Sequence, residues 1–137
     1  MITVTAQWLA IGVGVWLIGL SLFMLVRPQA SLAALAAMGG TPLIHFGEMA
    51  LRIVAGAALV LAAGGSRFPQ AITLIGWFLI ASAVVLMILP RRWHAGYSTW
   101  WAKRIPVWAV RLSAVVSIAA GGVLIWVLQA EHFLPVA

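Results

Sequence analysis

The sequence has no cysteine and only two acidic residues among its 137 positions. Without cysteine the chain cannot form disulfides, thiolate metal sites or iron–sulfur clusters. Charged residues make up 7% of the chain and hydrophobic residues 65%, whereas an ordinary soluble domain has about a quarter charged and half apolar residues. This composition excludes a soluble globular protein, because no soluble fold could bury so much apolar surface.

Four apolar runs are each long enough to cross about 30 Å of hydrocarbon, which takes roughly twenty helical residues. They extend over Gln7 to Val26, Leu43 to Ala63, Ile72 to Leu89 and Val107 to Leu128. No basic residue precedes the first run, so we expect a retained helix there and not a cleaved signal peptide. The sequence predicts an all-α integral membrane protein, a single four-helix transmembrane bundle over residues 1–137, with short interfacial segments in its first and third loops.

The positive residues between the spans predict the orientation of the chain. The first and third loops share one side of the membrane and contain Arg27, Arg91, Arg92, Lys103 and Arg104, whereas the second loop contains Arg67 alone. Because cytoplasmic loops carry the excess of Lys and Arg, we expect those two loops in the cytoplasm and both termini outside. The expected location is a bacterial-type inner membrane.

The third loop also combines its cations with several aromatic residues. Tryptophan beside Lys or Arg is typical of a segment at the lipid headgroups, where the ring is buried and its N–H stays hydrated. We therefore expect contacts with anionic membrane lipids, or alternatively a selective lipid- or partner-docking surface, and no binding of nucleic acid despite a net charge of +6. The residues concerned are Arg91, Arg92, Trp93, Trp100, Trp101, Lys103 and Arg104.

Small residues predict where the helices pack. Glycines in the first span and a small-xxx-small stripe in the fourth favour close helix contacts, within this chain or in a homo-oligomer; they are Gly12, Gly14, Gly19, Ser113, Ser117 and Gly121. The segment ALRIVA around Arg52 is also similar to AVRLSA around Arg111. This similarity indicates either two hairpins repeated in parallel orientation or a chance match between Ala/Val/Leu-rich helices.

Charged residues within the spans are the strongest candidates for a site. His45, Glu48 and Arg52 are spaced by three and four residues, so they share one face of the second span. At about 1.5 Å per residue, Arg111 on the fourth span lies at the depth of Glu48. Since charge inside a membrane is costly, we expect the two arginines to approach Glu48, which leaves one excess cation.

Three interpretations of this group remain open. Glu48 could form a structural lock with one arginine while the other extends to the interface. Alternatively, the unpaired arginine could bind a lipid phosphate or another amphipathic anion, or His45 and Glu48 could relay protons. The residues predict no catalytic motif, cofactor or metal site, because a metal needs more ligands than His45 and Glu48 supply.

The sequence favours a non-enzymatic membrane protein, either an accessory subunit of a larger complex or a binder of lipids and amphipathic anions. The alternative function is a small oligomeric transporter or exporter with Glu48 as its coupling carboxylate. The chemistry of one acid and one histidine extends at most to proton transfer.

Overall fold

The computed structural model describes residues 1–129, and that part of the chain contains helices and turns but no strand. Its helices are α1 (Ile2–Val26), α2 (Pro28–Ala37), α3 (Pro42–Ala62), α4 (Pro69–Ile88), α5 (Arg91–Ala102) and α6 (Val107–Leu128), with a 3₁₀ turn at Ala63–Gly65. Among them α1, α3, α4 and α6 are long and apolar enough to cross a membrane. The expected four-helix, multi-pass membrane fold is therefore confirmed.

Proline sets the start of every helix after the first. Pro28, Pro42 and Pro69 are the first residues of α2, α3 and α4, while Pro90 and Pro106 precede α5 and α6. Proline suits these positions because the first helical N–H has no partner within the helix and the ring already holds a helical φ. The observed spans match the predicted ones, except that α1 begins five residues earlier and α4 three residues earlier.

The four spanning helices form a row in the order α6, α1, α3, α4. The largest interfaces join α1 to α6 and α3 to α4, and α1 also packs on α3. The short loop between α3 and α4 makes these two helices neighbours. Small side chains dominate the shared core, including the fully buried Ala10 and the nearly buried Ala58 and Ala6.

Each large interface has a pair of glycines at its crossing point. A Cβ on Gly56 would lie 2.6 Å from the carbonyl oxygen of Gly76, and a Cβ on Gly14 would lie 3.2 Å from that of Gly121. These glycines therefore allow the backbones to touch. Within one chain these contacts use only part of the predicted stripes, because a Cβ on Gly12 or Gly19 would meet nothing within 4 Å and Ser113 is exposed. Contacts of these residues in a homo-oligomer stay a prediction.

At one end of the row, hydrogen bonds join α1 and the α3–α4 loop to the last turn of α6. The side chain of Gln7 donates from Nε2 to the carbonyl of Leu128 at 2.7 Å. Arg67, in the loop between α3 and α4, donates from its backbone N–H to Val127 and from Nε to Trp126. These donors satisfy carbonyls that the end of a helix leaves unpaired.

At the opposite end, α2 packs against α5. Arg91 donates from Nη1 to the carbonyls of Gly39 at 3.2 Å and Gly40 at 2.6 Å, and Thr99 donates to the carbonyl of Ala36. Gly39 has a φ of 72°, which ends α2 in a conformation that favours glycine. The two predicted interfacial segments thus form one layer of two helices at the same end of the bundle.

The order of span, short helix and span occurs twice along the chain. The sequence similarity between the segments around Arg52 and Arg111 does not follow this repeat. Arg52 lies ten residues after Pro42, whereas Arg111 lies five residues after Pro106. The two arginines therefore occupy different heights on α3 and α6.

Candidate functional site

Two histidines meet where the layer of short helices contacts the spans. His45 is the fourth residue of α3 and 1% exposed, and His94 is the fourth residue of α5 and 8% exposed. Their Nδ1 atoms lie 3.0 Å apart. The hydroxyl of Thr41 accepts a hydrogen bond from the N–H of Ile44 and fixes the start of α3, while Arg91 holds the start of α5 against α2. The two helix starts therefore position the pair.

This contact restricts the protonation of the two rings. A hydrogen bond between two imidazole nitrogens needs one donor and one acceptor, so the Nδ1 atoms share a single proton. When His45 is the donor and both rings are neutral, the proton of His94 is on Nε2. That nitrogen faces Glu48, with 3.7 Å between Nε2 and Oε2. The pair thus links a buried histidine to a carboxylate.

Glu48 uses its two oxygens differently. Oε1 accepts from Arg52 Nη2 at 2.8 Å and from Arg52 Nε at 3.2 Å. Oε2 is buried and has no hydrogen-bond partner among the described residues, since 3.7 Å to His94 is longer than a hydrogen bond. A buried carboxylate oxygen without a donor is costly. Glu48 therefore offers one free acceptor beside the histidine pair.

Arg52 is held on the other side by α4. Its Nη1 donates to the hydroxyl of Ser82 at 3.3 Å, and Ser82 donates in turn to the carbonyl of Leu79. The side chains of Arg52 and Glu48 are 35% and 20% exposed, so this ion pair is only partly buried. We refer to His45, Glu48, Arg52, Ser82 and His94 as the polar cluster. With neutral histidines it carries no net charge, because Arg52 balances Glu48.

The expectation that Arg111 approaches Glu48 is wrong. Arg111 is exposed and makes no hydrogen bond or ion pair within residues 1–129. The packing face of α6 is defined by Val110, Ala114 and Gly121, and Arg111 is rotated by about 100° from Val110. The depth estimate from helical rise contains no information on this rotation. The polar cluster consequently lacks the predicted excess arginine.

His94 is the titratable member of the polar cluster that the sequence analysis missed. It lies outside the spans, in a loop expected to contain only interfacial residues. The sequence did contain a signal, since His94 and Ser98 are four residues apart and so share one face of a helix. In the structure they are the buried residues of α5. Recognising it required a helix in the third loop. Its contact with His45 depended further on α5 packing against α2.

The remaining predicted residues lie on or beside α5 and do not join the polar cluster. Trp93, Trp100 and Trp101 are 58%, 47% and 40% exposed. The guanidinium of Arg104 lies 3.8 Å from the ring centre of Trp100, and Arg92 and Lys103 are exposed. No acidic side chain pairs with these cations in the described part of the chain. Their contact with lipid headgroups stays a prediction.

The arrangement is suited to hydrogen bonding and proton exchange. No three His, Cys, Asp or Glu residues converge on a point that could hold a metal ion within residues 1–129. The facing nitrogens of His45 and His94 bond to each other, and Glu48 lies near the opposite nitrogen of His94. Comparison of the chain with protein-family models, curated proteins and solved structures finds no match. Function must therefore be inferred from the chemistry of these side chains.

Proposed function

We propose that the chain is the unit of a small, proton-coupled membrane transporter that acts as an oligomer, with Glu48 as its coupling carboxylate. The observation that supports this proposal is the buried Oε2 atom of Glu48, which has no hydrogen-bond donor among the described residues and lies next to His94. A carboxylate that takes up and releases a proton needs such an available oxygen and a neighbouring group that exchanges protons.

A purely structural lock fits the geometry less well. Arginine and carboxylate groups frequently pair through two parallel hydrogen bonds, one to each oxygen, which is the strongest geometry for a lock. Arg52 instead places both of its contacts on Oε1 of Glu48. A further N–H of Arg52, on Nη1, donates to the hydroxyl of Ser82 and not to Oε2. The second oxygen is thereby left for another partner.

Anion binding within the polar cluster is also disfavoured. An anion near Oε2 would be repelled by the carboxylate of Glu48, whose charge is balanced by Arg52 alone. Arg111, the second cation expected there, lies outside the polar cluster. A ligand that competes with a proton for Oε2 must be a hydrogen-bond donor or a cation. Because the partly exposed edge of the polar cluster lies on spanning helices, we expect an amphipathic cation.

Proton uptake can be followed atom by atom. His45 accepts a proton on Nε2, passes its Nδ1 proton to Nδ1 of His94, and His94 passes its Nε2 proton to Oε2 of Glu48. One proton enters, both rings end neutral, and Glu48 becomes a neutral acid. The distance of 3.7 Å between His94 and Glu48 must shorten to that of a hydrogen bond for the last transfer. Arg52 then loses its anionic partner.

An oligomer supplies what the single row of helices lacks. The end helices α4 and α6 have exposed large side chains, among them Phe78 at 69% and Val116 at 61%. A second copy of the chain packed on such a surface would close one side of a substrate pathway through the membrane. We further propose that the chain lies in an inner membrane with the α2–α5 layer in the cytoplasm, as the distribution of loop cations indicates.

The second candidate function is an accessory subunit or a binder of anionic lipids. It is favoured by the exposed cations of α5 and the following loop, which have no acidic partner in residues 1–129. In that function the exposed tryptophans of α5 would lie at the headgroups.

Infrared spectroscopy can test proton uptake by Glu48 directly. The only carboxylic side chains are Glu48 and Glu131, so the carboxylic-acid C=O band of the reconstituted protein has few sources. During a pH titration the Glu48→Gln variant should lose a band that the matched Glu131→Gln variant retains. The coupling of proton efflux to cation uptake is then measured in proteoliposomes with an acidic interior. External tetraphenylphosphonium, an amphipathic cation, should enter in exchange for protons and collapse the pH gradient.

The collapse should occur with wild-type protein and Glu131→Gln, and should fall to the level of protein-free vesicles with Glu48→Gln. Equal rates for all samples would reject the transporter. If Glu48 takes up a proton but tetraphenylphosphonium does not collapse the pH gradient, the protein binds protons without transporting. The accessory subunit or lipid binder would then be the preferred function.

A further inference from the structure

An apolar groove lies at the end of the bundle that carries α2 and α5, and none of the residues that line it belongs to the polar cluster. It has a volume of about 270 Å³ and is bounded by the last part of α1, by α2 and by the start of α6. Its lining is apolar apart from the hydroxyls of Ser31 and Ser113. The residues that shape it include Leu20, Phe23, Leu32, Leu35, Met38 and Ile105.

The surroundings of this groove indicate an acyl chain as its occupant. Two of its walls, α1 and α6, are membrane-spanning helices, and the third is a short helix across their ends. An open apolar groove at this height faces lipid, and a hydrocarbon chain can fill it without removing any polar group from water. The groove contains no charged side chain that would bind a polar solute.

Three cations close in sequence to residues that line the groove have no anionic partner in the described protein. Ile105, which lines it, directly follows Lys103 and Arg104, and Arg27 lies between α1 and α2. All three cations are exposed, and none forms an ion pair within residues 1–129. The guanidinium of Arg104 rests on Trp100 and donates to its carbonyl, which positions that charge beside the loop.

We propose that the groove binds one acyl chain of an anionic phospholipid whose phosphate is held by Lys103 and Arg104. The apolar wall and the cations provide the two parts of such a lipid, and Ile105 joins them because it lines the groove and directly follows the two cations. Phosphate suits these side chains because each donates several hydrogen bonds to an anionic oxygen. This site requires nothing from Glu48 or the histidine pair, so it is independent of proton coupling.

Native mass spectrometry of the full chain in mild detergent can test the site. The protein is supplied with equal amounts of phosphatidylglycerol and phosphatidylcholine, and the bound lipid is counted. We expect one retained phosphatidylglycerol per chain. A cation near an anionic lipid contributes about fivefold to binding, so Lys103→Gln with Arg104→Gln should weaken retention about thirtyfold.

Two matched controls separate this site from general attraction to lipid. Arg92→Gln removes an exposed charge from the first turn of α5, roughly 16 Å along the helix from Lys103, and should retain the lipid. Ala34→Phe fills the groove and should displace the lipid, whereas Ala33→Phe enlarges a neighbouring exposed alanine that does not line the groove. Thermal unfolding of both variants verifies that each is folded.

The proposal is overturned if phosphatidylcholine is retained as well as phosphatidylglycerol, or if Ala34→Phe binds lipid like Ala33→Phe. It is also overturned if Arg92→Gln weakens binding as much as the double variant does, because the cations would then act only as a diffuse positive surface. Retention that survives in Glu48→Gln supports a site separate from the polar cluster.

Discussion

The Nδ1 atoms of His45 and His94 lie 3.0 Å apart and join the first turn of α3 to the first turn of α5. Replacing His94 with alanine should leave His45 without this partner and remove the ring nitrogen that lies 3.7 Å from Glu48 Oε2. We expect a loss of about 1 to 3 kcal/mol in the free energy of unfolding, measured by thermal or denaturant unfolding in detergent. Arg92→Ala, an exposed change on the same helix, should have little effect; equal losses would contradict a specific role for the histidine pair.

Glu48 and Arg52 should behave as a coupled pair. Glu48→Gln strands the guanidinium of Arg52, so we expect a loss of about 1 to 3 kcal/mol, less than for a fully buried pair because both side chains are partly exposed. The double variant Glu48→Gln with Arg52→Gln should recover part of this loss. The effects of Arg111→Gln and Glu48→Gln on the free energy of unfolding should be additive. A strong interaction between positions 48 and 111 in this mutant cycle would place Arg111 back in the polar cluster.

The glycine crossings provide a test of the helix row. Gly56→Ala would bring a methyl group to within 2.6 Å of the backbone oxygen of Gly76, so it should cost about 1 to 3 kcal/mol through overpacking. Gly47→Ala, on the same helix, meets nothing within 4 Å. It should be neutral or stabilise by up to about 1 kcal/mol through helix propensity. Unfolding in detergent measures both, and similar effects would argue against the α3–α4 crossing.

Arg91 should control the attachment of α5. Its Nη1 atom donates to Gly39 and Gly40 at the end of α2, so Arg91→Gln should loosen the α2–α5 layer. We expect faster amide hydrogen exchange throughout α5 and unchanged exchange at the α3–α4 crossing. Arg92→Gln removes the same charge without those bonds and is the appropriate comparison. Unchanged exchange in Arg91→Gln would show that other contacts hold α5.

The orientation in the membrane can be tested with two glutamines. Gln29 on α2 and Gln70 on α4 are both exposed and lie at opposite ends of the bundle. Since the chain has no cysteine, Gln29→Cys and Gln70→Cys each introduce a single thiol. An impermeant thiol reagent added to intact cells should label the cysteine at position 70 and not the one at position 29. The reverse pattern would invert the proposed topology.

The sequence predicted those features that depend on order along the chain. Apolar runs defined the spans, because length and hydropathy are local properties. The polar cluster depended on contacts between distant segments. His94 was missed because α5 must pack on α2 before it reaches His45. Arg111 was assigned to Glu48 because helical rise gives depth, whereas the direction of the side chain depends on which face of α6 packs against α1.

The twofold order of span, short helix and span has a consequence for how the polar cluster could arise. The first half of the chain supplies His45, Glu48 and Arg52, and the second half supplies Ser82 and His94. Two copies of the first half would have a carboxylate without its histidine neighbour on α5, and two copies of the second would have no carboxylate on the helix that follows Pro106. The assembled cluster thus requires sequence divergence between the halves, although both follow the same succession of helices.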